Sequence, residues 1–202
     1  MPVLEAIVDA VFPARCPLCS RFASGAAGLC APCRSALGAG RAAGDVLALS
    51  GYLGDLDAAV RALKFGGRRE LARPLGRMLA EGARVAGWTA GVVVPVPLHQ
   101  ARLAERGFNQ AALIAAAAAR DLRVPLRDLL ERTRDTRHQP GSSRAERAAN
   151  VQGAFRCRAR LSGEEVLLVD DVYTTGATAR ECAAALRAAG AGRVRVAVIA
   201  RA

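Results

Sequence analysis

The sequence predicts an α/β protein built on a parallel, doubly wound sheet with helices on both faces, preceded by a small four-cysteine module. Three observations predict it. Val166-Leu167-Leu168-Val169 and Val92 to Val96 are continuous apolar runs, the pattern of strands buried on both faces rather than one. Each run leads through a loop into an alanine-rich helical stretch, the alternation that builds parallel sheets. Near the N-terminus, Cys16-Pro-Leu-Cys19 and Cys30-Ala-Pro-Cys33 form two C-x-x-C pairs separated by ten residues.

Length and charge narrow the class. A chain of 202 residues makes one α/β domain that buries roughly 70% of its unfolded surface, plus a small appendage. The net charge of +11 and pI near 10.8 point to anionic partners, either nucleic acid or phosphorylated small molecules. Arginine supplies nearly all of it, because Lys64 is the one lysine. No stretch approaches the roughly 18 apolar residues of a membrane span. No secretory leader is visible, so a cytoplasmic protein is expected.

In chain order, Met1 to Phe12 spaces Val3, Leu4, Ile7, Val8 and Val11 as an amphipathic helix. The C-x-x-C pairs then suit four thiolates around one tetrahedral zinc, with disulfides as the alternative. Reducing surroundings and the scarcity of apolar residues favour zinc. Cys157 and Cys182 read as ordinary strand or helix residues. Arg34 to Asp45 reads as a flexible linker, which places the domain boundary at 44/45: residues 1–44 for the N-terminal helix and zinc module, 45–202 for the main domain. Val46 to Gly54 follows as a strand or hairpin, then a helix from Leu56 that Gly66-Gly67 interrupts and that resumes from Glu70 to Ala83. Lys64 at that helix end is either a phosphate ligand or a solvated lysine. The strand at Val92 exits through Pro95 and Pro97 into a basic loop bearing His99, Arg102, Arg106 and Gly107, and a helix begins near Asn109. Val124 to Leu130 reads as a strand. Glu131 to Arg160 is polar and arginine-rich, an internal excursion suited to a lid that closes on an anion. Val194 to Ile199 is the last strand.

The chemistry concentrates in Val166 to Thr178. Asp170 and Asp171 arrive where the strand should end, and Thr174, Thr175, Gly176, Ala177 and Thr178 lead into a helix that Gly190 stops. A helix start offers unpartnered N–H groups and a positive dipole end, so a Thr-Gly turn there can cradle a phosphate. Two carboxylates beside it suit the vicinal hydroxyls of a sugar and would repel a second phosphate. Sugar beside phosphate indicates a ribose 5-phosphate.

This ordered stretch resembles the PRPP-binding signature of the type I phosphoribosyltransferases. Taken with the paired C-x-x-C motifs, ALKFGG at 62–67, PVPLH at 95–99, RLAERGFNQA at 102–111, Gln139 and RAERAANVQGAF at 144–155, the chain is identified as a member of the ComF (competence protein F) family. The resemblance implies a type I phosphoribosyltransferase-like fold. It also implies that Asp170 and Asp171 hold the ribose hydroxyls and Thr174 to Thr178 the 5-phosphate. Leu98 to Asn109, with His99, Arg102 and Arg106, lies where such enzymes bind pyrophosphate; Lys64 joins this set. Gln139 to Asn150 lies in their flexible catalytic loop, with Arg144 and Arg147 as its pyrophosphate contacts. Mg²⁺ would accompany PRPP. The zinc module or the first helices would have to supply the hood that selects an acceptor base. The rival expectation is a non-catalytic protein of the competence machinery that senses PRPP or binds single-stranded DNA. A DNA-translocating ATPase could be its partner, because the chain has no G-x-x-x-x-G-K-[ST] loop of its own.

Overall fold

The computed structural model of the chain describes residues 15–16, 19–23, 29–37, 40–51, 55–134 and 150–201. The amphipathic stretch expected before Phe12 lies outside them. So do Gln139, Arg144 and Arg147.

A five-stranded sheet has the order β1-β2-β7-β6-β3, with β1 Arg41–Ala43, β2 Val46–Gly51, β3 Val92–Pro95, β6 Val166–Tyr173 and β7 Val194–Arg201. β1 runs antiparallel to β2, and the other neighbours are parallel. Side chains of consecutive strand residues point to opposite faces, and that alternation sorts the core into two layers. Leu167, Val169, Ala197 and Ile199 pack on one side against α2 (Asp55–Phe65), α3 (Ala72–Val85) and α5 (Gln110–Leu122). Val166, Leu168, Val196 and Val198 pack on the other against α6 (Ala177–Ala188) and a two-stranded ribbon, β4 Leu130–Arg132 with β5 Phe155–Cys157. Both faces of the central strands are thereby covered, which is why their sequences are apolar without a break.

The zinc module is welded to this core. Cys16, Leu29 and Cys30 are buried in the same cluster as Val60 and Leu63 of α2, and α1 (Ala31–Leu37) packs on α2.

Four expectations need correction. The supposed linker Arg34 to Asp45 contains the end of α1 and all of β1, because the short Gly44-Asp45 connection folds β1 back on β2. The basic loop after β3 is a short helix, α4 (Gln100–Arg106), whose first turn is capped when the Ala101 N–H donates to His99 Nδ1 at 3.3 Å. Val124 to Leu130 is no strand. Pro125 has no N–H to give a ladder, so the segment makes only a bridge from Leu126 to Val93, and regular pairing begins at Leu130. Finally β6 runs through the acid pair to Tyr173, since parallel pairing with β7 continues to Arg201.

Candidate functional site

The carboxyl ends of β3 and β6 open into a cavity of about 190 Å³. Open parallel sheets bind ligands at this edge. Asp170, Asp171, Thr174, Thr175, Ala177 and Thr178 line the cavity together with Lys64, Arg102 and Arg106. Arg132 of β4 and Asn150, where the described chain resumes after residue 134, also line it. Four cations thus face two acids.

The turn is built for close approach. Gly176 caps α6 in the left-handed conformation, with φ 71°, and a Cβ on it would collide with the Tyr173 ring. Glycine is required there on both counts. The Thr175 hydroxyl accepts from the Ala177 N–H at 3.3 Å, and Arg180 Nη1 donates to the Thr175 carbonyl at 2.9 Å.

The two acids differ in surroundings. Asp171 is buried, with 4% of its surface exposed. Lys64 Nζ lies 2.8 Å from its Oδ1, and Gln110 Nε2 donates to its Oδ2 at 2.5 Å. Asp170 is half-buried, and its Oδ1 accepts from the Asp171 N–H at 2.8 Å. Burial, then the charge of Asp171, push the Asp170 carboxyl up to about 7, against the pull of that N–H, Lys64 and Arg132.

Lys64 is therefore not a solvated lysine: the end of α2 carries it onto Asp171. Arg106 donates to Gln110 Oε1 at 2.6 Å, so Arg106, Gln110, Asp171 and Lys64 form one chain of contacts. Gln110, which carries no charge to draw attention, is the residue that sequence reasoning missed; its place in RGFNQ was the available signal. Asn109 caps α5 by accepting from the Ala111 N–H, and its side-chain amide donates to the Val96 carbonyl at 3.0 Å. His99 sits elsewhere, capping α4 on the rim of a neighbouring 660 Å³ cavity that shares Pro97, Leu98, Asn109 and Arg132 with the first.

The second centre is the cysteine cluster. The Sγ atoms of Cys16, Cys19, Cys30 and Cys33 all lie within 4.8 Å of one another. Tetrahedral zinc with bonds of about 2.3 Å separates its sulfurs by about 3.8 Å, so the cluster has the right size. Cys19 and Cys30 stand 3.4 Å apart, well beyond a disulfide bond of about 2.05 Å, and none of the six cysteines is joined in a disulfide. Burial, then the neighbouring thiols, push the Cys33 thiol well up; a divalent cation reverses that balance.

Comparison with known proteins agrees with this geometry. DNA utilization protein YhgH of Escherichia coli O157:H7 is 34% identical over 198 residues, covering 90% of this chain and 87% of the relative. Competence protein F of Haemophilus influenzae is 33% identical over 160 residues, covering 75% and 70%. The chain belongs to the competence protein F family. The phosphoribosyl transferase domain family matches residues 109–202, which include the acid pair and the Thr-Gly turn. The double zinc ribbon domain family matches residues 7–44 and takes in all four clustered cysteines. That match and the thiol geometry support a structural zinc centre. Among solved structures, the glutamine PRPP amidotransferase from B. subtilis aligns at a TM-score of 0.46 and 27% identity, covering 65% of this chain and 26% of that one. Among the described residues no helix is long and apolar enough to cross a membrane.

Proposed function

We propose that this ComF-family protein binds PRPP with Mg²⁺ in the cavity between β3 and β6 and transfers its phosphoribosyl group to a nitrogenous base, releasing pyrophosphate. One observation carries the reading: an acid pair, a glycine-capped helix start and a wall of cations converge on the same 190 Å³ space. The N-terminal turn of α6 and the hydroxyls of Thr174, Thr175 and Thr178 receive the 5-phosphate. Asp170 accepts from the ribose hydroxyls. Asp171 has an oxygen committed to each of Lys64 and Gln110; it meets the sugar only on its remaining lone pairs and also fixes Lys64 in place. Lys64 and Arg106 face the pyrophosphate, and the sequence also assigns it Arg144 and Arg147, which lie outside the described residues.

In the reaction a lone pair on the base forms a bond to the anomeric carbon. The bond from that carbon to pyrophosphate breaks, and pyrophosphate departs with the electron pair. Any proton on the attacking nitrogen passes to solvent. The arginines and Lys64 stabilise the charge that develops on the leaving group. Mg²⁺, bound with the substrate, supplies further neutralisation there. No protein nucleophile is needed.

The relatives' names, DNA utilization and competence, support a role in DNA uptake, which we place in the cytoplasm. A second reading is favoured by the charge of +11 and those same names: the chain holds single-stranded DNA beside a DNA-translocating ATPase without chemistry. Calorimetric titration of Mg²⁺–PRPP into wild type and Asp170→Asn tests the first reading, which expects at least a tenfold loss and which equal affinities overturn. Release of pyrophosphate in a screen of purines, pyrimidines and pyridines separates transfer from binding alone. DNA affinity that falls steeply with salt and ignores the Asp170 change favours the second reading.

A further inference from the structure

The end of α2 carries an arrangement that ribose phosphate binding leaves unused. Gly67, just past the helix, takes a left-handed φ of 63°, and the last two helical side chains point about 100° apart. Lys64 turns inward to Asp171, and Phe65 stays outside with 77% of its surface exposed. Among the described residues no large hydrophobic side chain is more exposed. Beside it lies a cleft of about 300 Å³ lined by Lys64, Phe65, Arg102, Glu105, Arg106 and Phe108. Lys64, Arg102 and Arg106 also line the ribose phosphate cavity, so the two spaces share a wall.

We propose that this cleft seats the acceptor, a planar heteroaromatic ring bearing a carboxylate; the proposal rests on the PRPP reading above. The Arg106 guanidinium stands over the Phe65 ring, 5.3 Å from its centroid, which occupies one face and leaves the other for stacking. Charge selects the ligand class: Lys64, Arg102 and Arg106 outweigh the single acid, Glu105, in the lining. Lys64 is matched by Asp171, and Arg106 is tied to Gln110 and the Phe65 ring. Arg102, half-buried on the same side of α4 one turn earlier, makes no salt bridge among the described residues. A neutral base leaves that guanidinium unmatched, whereas a carboxylate meets it with two parallel hydrogen bonds. Pyrophosphate alone would give the ring nothing to do.

The test titrates nicotinate against nicotinamide and orotate against uracil into the full zinc-loaded chain. Saturating ribose 5-phosphate is present because it lacks a leaving group and cannot react. In at least one pair the carboxylated ring binds tenfold or more tightly than its neutral counterpart. Phe65→Ala removes roughly a factor of ten from that binding, Phe65→Trp restores it, and Mg²⁺–PRPP affinity is unchanged in both variants. The proposal is overturned if no ring binds, if charge makes no difference, or if Phe65→Ala weakens Mg²⁺–PRPP or oligothymidylate binding instead. Repeating the titrations without ribose 5-phosphate separates the two readings. Charge-selective, Phe65-dependent ring binding in a chain that fails to take up PRPP upholds the cleft and sinks the PRPP assignment; normal PRPP binding with no ring binding does the reverse.

Discussion

Replacing Asp170 with asparagine should stabilise the ligand-free protein at neutral and alkaline pH while it weakens PRPP binding. The carboxyl stands at about 7 against an ordinary 3.8, so between those values the folded chain holds a proton that the unfolded chain has lost. The unfolded state binds fewer protons, and stability falls as pH rises: the contribution is fully present below about pH 4 and is lost by the time pH has passed 7. At 1.36 kcal/mol per unit, the full loss is at most about 4 kcal/mol, of which about 3 kcal/mol falls between pH 5 and 9. Asp170 is only half-buried, and solvent screening brings the expectation to about 1–3 kcal/mol. With about 2–4 °C per kcal/mol for a chain of this size, the melting temperature of Asp170→Asn should pull ahead of wild type by about 2–12 °C from pH 5 to pH 9. Differential scanning fluorimetry of the pair reads this directly, because the other titrating groups cancel in the difference. Wild-type affinity for Mg²⁺–PRPP should rise more steeply from pH 6 to 8 than that of the variant, which shares the titration of the ligand's phosphates but lacks that of Asp170. Parallel melting curves would refute the claim that burial and Asp171 hold this carboxyl high.

Three further outcomes follow from the same geometry. Lys64→Met leaves Asp171, whose side chain is 6% exposed, with Gln110 alone; urea denaturation should show a loss of about 1–3 kcal/mol, partly recovered in Lys64→Met/Asp171→Asn. Gly176→Ala must hold a left-handed φ and push a Cβ into the Tyr173 ring; a loss of about 1–3 kcal/mol and at least tenfold weaker ribose 5-phosphate binding are expected, by melting and titration. Elemental analysis should find one zinc per chain, and Cys30→Ser should lose it and melt several degrees lower.

Much of the fold was legible because its central strands are buried on both faces: Val92 to Val96 and Val166 to Val169 show it as unbroken apolar runs, and the helices after them carry plain stop signals. The site's main outline was legible for a related reason. Carboxylates directly after such a run have nowhere to stand except the ligand edge of the sheet. Edges and short pieces were not legible. β1 is three exposed residues, Arg41–Ala43, paired to β2, so no hydrophobic pattern announces it. α4 has no buried residue and hence no apolar stripe, and its arginines read as a loop. The partition of the acids was hidden as well. That both oxygens of Asp171 are already engaged depends on Lys64 and Gln110, which arrive from α2 and α5 and lie far from the acids in sequence.

Helix α2 packs against the cysteine module at one side and reaches the Asp170–Asp171 cavity at its end. Cys16 and Cys30 are buried in one cluster with Val60 and Leu63 of that helix. Leu63 is followed directly by Lys64, which reaches Asp171, and by Phe65, which borders the adjoining cleft. A core this close-packed transmits displacement instead of absorbing it. The cysteines therefore need touch no ligand to matter. If the four-thiolate centre fixes where α2 ends, loss of the metal should weaken PRPP binding in a chain whose acid pair and phosphate turn are unaltered. Lys64→Met separates this route from general unfolding: once the lysine is gone, removing zinc should cost little further affinity for PRPP while still lowering the melting temperature.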